Sequence, residues 1–309
     1  MILLYDLCYR FFYYFKRLRR RFPAFTKAAQ TYEYYFSLFV NRKLAPWLEA
    51  HPAQKGLNTK KRKESYIVSL TSFPVRIGHV HLTIETLLRQ RFKPDGIVLY
   101  LAESQFPGRK LPETLENLQT RGLTVRWCDD LRSHKKYFYA FRDYPDANII
   151  LADDDIFYSR DTVKKLARLH KKHPKDIICQ TAQIIGPEIS SLPSVWPPQQ
   201  VGKQYISSMR AQAFTGAGSL FPPRWYPEEL FNKEKAMSLA GTADDLWLKA
   251  MSLIAGVRTT LVYPQRGFPL DIHIPNNQTL FSINGAQGTS LNDSVWQALV
   301  EEYGLDKMR

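Results

Sequence analysis

Three consecutive aspartates, Asp153, Asp154 and Asp155, follow directly on the apolar run ANIILA at 147–152. Asp153 and Asp155, one residue apart where a strand meets a loop, can point to the same side. Together they form a hard-oxygen, partly hydrated site suited to Mg2+ or Mn2+ shared with a diphosphate. A cation there would neutralise a diphosphate as its bond breaks. A solvated acidic turn would read the same way. However, an apolar strand running straight into three carboxylates is electrostatically costly, and a bound cation relieves that cost. A second acidic pair, Asp244 and Asp245, opens the segment GTADDLWLKAMSLIAG at 241–256, whose apolar spacing predicts a helix. A carboxylate in its first turn can take the proton of an attacking hydroxyl, and Asp245 is the preferred member of the pair. Thr242 and Asp245, three apart, also fit a helix cap without any catalytic role. The signatures of phosphate-binding Walker loops, dinucleotide-binding glycine turns and H-E-x-x-H zinc sites are absent from the sequence.

These acids need elements to hold them. YIVSLTSFP at 66–74, GIVLYLA at 96–102, LTVRWC at 123–128 and ANIILA at 147–152 read as strands. Helical patterns over 79–92, over 111–121 and around Tyr137 to Phe141 separate them. Strands alternating with helices predict a mostly parallel sheet covered on both faces. Ligands of such sheets sit beyond the carboxyl ends of the strands. Ser72, Arg76, Asp129, Asp130 and the aspartate triple all fall at those ends.

The chain has 309 residues, a net charge of +14 and 44% hydrophobic residues, which excludes a wholly disordered chain. Its charge is concentrated at one end. Residues 1–63 hold 14 Lys/Arg against 3 Asp/Glu, whereas residues 64–309 hold 29 against 26. The boundary expected from this is a basic helical region and linker over 1–63 and an α/β domain over 64–309. On a helix, Leu4, Leu7, Phe11, Phe15, Leu18 and Phe22 share one face, and Arg10, Lys16, Arg17, Arg20 and Arg21 fall mostly on the other. Pro23 should end that helix near Phe22. A basic, aromatic amphipathic helix fits the surface of an anionic membrane, so residues 1–45 are expected to associate with one peripherally. A second helix is expected to about Leu44, and 50–65 reads as a polar linker. No zinc-finger, RNP-like or basic-heptad pattern supports nucleic acid as the partner. Three dispersed cysteines point to a reducing compartment. Neither a membrane-spanning run nor a cleaved leader is expected from the sequence.

SLTSFPVRI, WCDDLRSHKK, ADDDIFY and TADDLW, in that order, resemble bacterial glycosyltransferases of the GT-A fold, the kind that build capsule, O-antigen and lipopolysaccharide. The resemblance spans about 65–293. It implies an α/β, Rossmann-like sandwich binding a nucleotide sugar, most often a UDP-sugar, with Mn2+ or Mg2+ as cofactor. Asp153 and Asp155 would match the metal-binding D-x-D, with Asp154 beside the donor. Thr71, Ser72 and Arg76 would lie along the nucleotide, and Asp129 or Asp130 with Lys135 near the base, ribose or diphosphate. For Lys135 and Lys136 a solvated helix face is the alternative, and at least one of them is expected there. Gly216 and Gly218, in FTGAGSLFPP, would let backbone approach donor or acceptor. Asp245 or Asp244 would be the acceptor-side base of an inverting transfer to a lipid-linked or polysaccharide acceptor. His273, in PLDIHIPNNQ, is a candidate further metal ligand, and Trp196, in VWPPQQ, a candidate acceptor platform. The enzyme would work at the cytoplasmic face of the bacterial inner membrane. A sugar-phosphate nucleotidyltransferase is the alternative enzyme, although SLTSFPVRI has no glycine before Gly78. An inactive membrane-bound scaffold is the other alternative.

Overall fold

A computed structural model describes residues 1–54, 56–196, 207–262, 268–274 and 291–307. The four expected strands form as β1 (Tyr66–Thr71), β2 (Gly96–Ala102), β3 (Leu123–Cys128) and β4 (Asn148–Leu151). A short β5 (Ile156–Phe157) follows the aspartate triple. It is succeeded by β6 (Ile177–Cys179), β7 (Ala182–Ile184), β8 (Ala211–Ala213), β9 (Ser219–Phe221), β10 (Thr259–Leu261) and β11 (Leu270–Asp271). The main sheet has seven strands in the order β10-β6-β9-β4-β1-β2-β3. Six run parallel, and β9 runs against its neighbours β4 and β6. Helices α4 (Val80–Leu88), α5 (Glu113–Gln119), α6 (Lys135–Asp143) and α7 (Thr162–His170) connect the strands. The helices α8 (Lys233–Ala240), α9 (Asp244–Ile254) and α10 (Leu291–Tyr303) complete the second layer. Strands β1, β2 and β4 are buried almost throughout because helices cover both faces, which is why they read as continuous apolar runs. The fold class is the expected one: α/β, with a mostly parallel sheet between helices.

The N-terminus is helical: α1 (Ile2–Arg21), α2 (Thr26–Phe39) and α3 (Ala45–Ala50), with a π-helical turn over Val40–Leu44. Pro23 ends α1, leaving Phe22 extended as its C-cap. Two apolar stripes run along α1. Tyr5, Tyr9 and Phe12 are buried in a core shared with Leu82, Phe157, Leu270, Ile272 and Ile274, residues more than 60 positions away in sequence. On the side turned away from that core, Leu3, Leu4, Leu7, Phe11, Tyr14 and Phe22 are exposed. Lys16, expected on the solvated basic face, is instead buried. Its ammonium donates to the Phe268 carbonyl at 2.9 Å and pairs with Glu33 at 3.0 Å. The ammonium also lies 4.2 Å over the Phe12 ring, and its burial lowers its proton affinity despite the opposing pull of Glu33. The expected linker is also held against the sheet domain. The Ala53 amide donates to Glu85 at 3.0 Å, Asn58 donates to Asp95 at 2.8 Å, and a Cβ on Gly56 would meet Leu88 backbone at 2.4 Å. No helix among the described residues is long and apolar enough to cross a membrane.

Candidate active site

Reversal of β9 brings a third group of residues to the acidic rim. Because β9 runs against β4, with Ser219 opposite Leu151, the loop entering β9 lies beside the carboxyl end of β4. That loop contains Thr215, Gly216 and Gly218. The first turn of α9 brings Asp244 and Asp245 to the same place.

Asp154, the middle aspartate, turns inward. Its carboxylate accepts from the Ser72 hydroxyl at 2.5 Å and from Arg76 at 2.7 Å. Arg76 also pairs with Asp155 at 2.9 Å. The Thr83 hydroxyl donates to the Asp154 carbonyl at 2.9 Å, fixing the loop onto α4. Asp154 therefore ties the end of β1 to the end of β4, and its neighbours Asp153 and Asp155 remain partly exposed. The Tyr158 hydroxyl accepts from the Asp153 amide at 2.8 Å and donates to the Gly216 carbonyl at 2.7 Å. Glycine is required at 216 for space: a Cβ there would lie 1.9 Å from an Asp153 carboxylate oxygen. Gly216→Ala should therefore displace that carboxylate while the sheet stays folded. The expected result is a Tm close to wild type and, if the rim holds a nucleotide as the resemblance implies, at least tenfold weaker UDP binding by calorimetry. Wild-type UDP affinity would show that the Asp153 carboxylate takes no part in such binding.

The two acidic motifs, 89 residues apart in sequence, meet on a lysine. Buried Lys136, on α6, donates to Asp153 at 2.7 Å and pairs with Asp244 at 3.1 Å. Asp245 faces the loop. One of its oxygens accepts from the Thr215 amide at 3.1 Å and from the Thr215 hydroxyl at 2.6 Å. The N-cap of α9 is Ala243, not Thr242, so Thr242 does not occupy the capping position expected for it.

These pairings separate the titrations. Burial, then repulsion from Asp154 and Asp153, pushes Asp155 up to about 7 against the pull of Arg76. Burial and the charge on Asp244 likewise push Asp245 up to about 7, against Lys136 and Thr215. Asp244 is held below its ordinary value, because Lys136 and then His134 outweigh its burial. Lys136 is raised, its own burial outweighed by Asp153 and Asp244. Asp271, on β11, is raised by partial desolvation and by Asp153, with Lys16 opposing. Six aspartates thus share one region with two paired cations, Arg76 and Lys136, and with Lys16 at its edge.

That excess of negative charge, together with the all-oxygen donor set, fits Mg2+ or Mn2+. Among the described residues, no three histidine, cysteine or carboxylate side chains converge into a ready-made cage. One or two carboxylates completed by substrate phosphates and water is the coordination such cations prefer.

The remaining expected residues distribute as follows. Thr71 donates its hydroxyl to the Tyr100 carbonyl at 2.8 Å within the sheet. Lys135 is buried and pairs with Asp130 at 2.5 Å, so neither it nor Lys136 lies on a solvated face. Asp129 is exposed and pairs with Lys233 at 2.7 Å. Gly218 has φ +84, a left-handed conformation that suits glycine. The His273 ring is exposed, two residues beyond Asp271, while Ile272 between them is buried. Alternation therefore puts Asp271 and His273 on one side of that segment. Trp196 is not at an acceptor opening. It is buried, packed edge-on against Trp296 at 5.4 Å, with its indole N–H donated to the Ser191 carbonyl at 2.7 Å. Residues 197–200 and 275–278 of the two quoted segments lie outside the described residues. Sequence reasoning missed Lys136, Thr215, Tyr158 and Asp271. Only Asp271 had a legible signal, the alternation Leu-Asp-Ile-His-Ile.

No protein-family model and no curated protein sequence matches this chain. Several solved structures are similar to it. The residues 1–349 structure of Staphylococcus aureus TarS shares 12% identity at a TM-score of 0.44, over 66% of this chain and 59% of that one. The mannosyltransferase PcManGT of Pyrobaculum calidifontis, solved with GDP-Man and Mn2+, shares 12% identity at a TM-score of 0.43, over 88% and 78%. A 4-diphosphocytidyl-2C-methyl-D-erythritol synthase shares 12% identity at a TM-score of 0.40, over 72% and 99%. The chain thus spans about three fifths of the TarS chain. Similarity this distant does not transfer a substrate, so the chemistry has to be read from the residues of the rim.

Proposed function

We propose that the chain is a glycosyltransferase that moves a sugar from a nucleoside-diphosphate sugar, most simply a UDP-sugar, to an acceptor hydroxyl with inversion. One observation supports this above the rest. The aspartate triple and the Asp244–Asp245 pair share one rim, joined by Lys136 and by the Thr215–Gly216 loop. A group transfer needs a site for the departing diphosphate and, next to it, a base for the incoming hydroxyl. Asp153 and Asp155 are the residues that would hold Mn2+ or Mg2+ there. The bound cation would neutralise the charge that builds on the diphosphate.

Asp245 is the better base of its pair. Asp244 is spent on Lys136, whereas Asp245 is half-buried and reaches the loop, with its carboxyl tuned near neutrality. It takes the acceptor proton as that oxygen bonds to the anomeric carbon. The bond from the anomeric carbon to the diphosphate oxygen breaks, and the nucleoside diphosphate leaves with the bonding pair. Thr215 fixes the orientation of the carboxylate.

The test is a thermal-shift panel of nucleotides and nucleotide sugars on the full chain, with and without Mn2+. UDP with Mn2+ should raise Tm, and Asp155→Asn should abolish that rise while remaining folded. Stabilisation by CTP, with pyrophosphate release from it, would favour the nucleotidyltransferase alternative. A folded chain that responds to no nucleotide would overturn the reading.

The exposed stripe of α1, with Arg10, Arg17 and Arg21 also exposed, supports peripheral binding to an anionic membrane, and so a lipid-linked or surface-polysaccharide acceptor. Binding to vesicles containing anionic lipid should fall steeply with salt, since screening shortens the attraction. The double variant Leu7→Ser with Phe11→Ser should bind at least tenfold more weakly. Salt-independent binding, or full binding by that variant, would exclude this face as the contact.

A further inference from the structure

The N-terminal hairpin is wired by hydrogen bonds into the strands that flank the acidic rim. Strand β5 begins at the residue after Asp155, and β11 ends on Asp271. The two pair antiparallel, with Asp271 opposite Ile156 and Leu270 opposite Phe157. The Ile272 amide extends the pairing by donating to the Asp155 carbonyl at 2.6 Å. The relative placement of Asp155 and Asp271 is therefore set by how this two-stranded ribbon is held.

A ribbon of two residues per strand is too short to fix itself. The tie comes from α1. The buried Tyr9 hydroxyl donates to the Phe157 carbonyl and accepts the Leu270 amide at 3.2 Å, so it joins both strands at their end pair. One turn earlier, the Tyr5 hydroxyl donates to the Tyr158 carbonyl at 2.7 Å. The hydroxyl of that same Tyr158 holds the Asp153 amide and the Gly216 carbonyl. Beyond α2, Asn41 grips the other end of the ribbon. Its side-chain N–H donates to the Asp271 carbonyl at 3.3 Å, and its oxygen accepts the His273 amide at 2.7 Å. These bonds span 148 to 261 positions of sequence. They end on main-chain groups of Phe157 and Tyr158, two and three residues after Asp155, and of Leu270, Asp271 and His273.

We propose that Tyr9, supported by Asn41, is a positioning residue of the acidic site, and that the N-terminal hairpin is a structural part of that site as well as its membrane-facing surface. The expected effect on cation binding rests on the donor-site reading above; the effect on the ribbon does not. A phenol ring alone would fill the same core space, so the hydroxyl is the informative atom. Tyr9→Phe retains the ring and its edge-on packing with Tyr5 and Phe36 and removes the two bonds to the ribbon together with the hydroxyl contact to Tyr5.

The experiment uses the full chain and two readouts. In amide hydrogen exchange, Tyr9→Phe should speed exchange of the Leu270 and Ile272 amides at least tenfold and leave those of β1 and β2 unchanged. In a Mn2+ titration with UDP present, followed by paramagnetic broadening, affinity should fall, with the ~10–100-fold lost on removing a direct partner of a metal ligand as the upper bound. A uniform rise in exchange, or unchanged Ile272 protection, would overturn the proposal. If Tyr9→Phe does not fold, Asn41→Ala is the second variant, with the same expected pattern at Ile272 and His273. If Tyr9→Phe loosens the ribbon as described but Mn2+ with UDP broadens nothing near Asp155 in the wild-type chain, the donor-site reading falls and the hold of Tyr9 on the ribbon stands.

Discussion

Asp245→Asn should lower sugar transfer by about 10²–10⁴ while UDP affinity stays within a few-fold of wild type. That range is the usual worth of a general base, and in the proposed mechanism the residue would face the incoming hydroxyl, not the diphosphate. The pH profile supplies a second mark. A base must be ionised to work, and Asp245 is pushed up to about 7. The wild-type rate should therefore climb about tenfold per pH unit on the acid side and level off above about 7. Asp155 is also pushed up to about 7, so the profile is taken at saturating Mn2+, which would hold Asp155 ionised, and there the asparagine variant should lack that limb. The ordinary carboxylate range would put the limb near pH 4, so its position separates the tuned Asp245 of this structure from an untuned acid. Asp244→Asn is the contrasting variant. Removing the partner of Lys136 should cost more stability than Asp245→Asn, with the acid limb still present. Transfer at the wild-type rate by a folded Asp245→Asn protein would leave the inverting mechanism without its base.

Lys136→Met should be among the most destabilising single substitutions in the chain. The methionine fills the buried volume but leaves Asp244 without its cation, and Asp153 with only its solvated side satisfied. Removing one member of a buried ion pair costs about 3–5 kcal/mol. For a chain of this size that corresponds to a loss of Tm on the order of 10 °C. The Asp244 arm should account for most of it, since its carboxylate is nearly buried and the Asp153 carboxylate is about a third exposed. The double variant with Asp244→Asn should consequently recover part of the loss, a non-additivity that thermal unfolding reads directly. A drop of less than about 2 °C would mean that the lysine is not holding these carboxylates together.

The parts that were legible in the sequence are those written in neighbouring residues. The aspartate triple is recognisable because three carboxylates directly follow an apolar strand. The parallel sheet is recognisable because β1, β2 and β4 are apolar on both faces. Lys136 was not legible, because nothing local distinguishes a lysine that reaches two distant aspartates from one on a wet helix face. Tyr5, Tyr9 and Phe12 were missed for a different reason. The leucine and phenylalanine face accounted for the helical periodicity of α1, and the second stripe was hidden among residues already counted as aromatic. Trp196 was misplaced because a proline-flanked tryptophan reads alike as a platform or as an anchor, and only the edge-on contact with Trp296 decides.

With two apolar stripes, α1 has no idle side. One-residue slippage turns a helix by about 100°. An insertion between Tyr5 and Tyr9 would swing the second phenol off the ribbon while Tyr5 stayed in place. It would also rotate one of the outward leucines toward the protein. A simple interfacial anchor tolerates such phase errors, since a membrane accepts any rotation that keeps the greasy side down. Here the buried stripe fixes the phase by itself, and the outward stripe would fix it again if it meets a membrane as proposed, so α1 should accept conservative exchanges at many positions and almost no insertion or deletion between Tyr5 and Lys16. Its length is constrained more tightly than its composition.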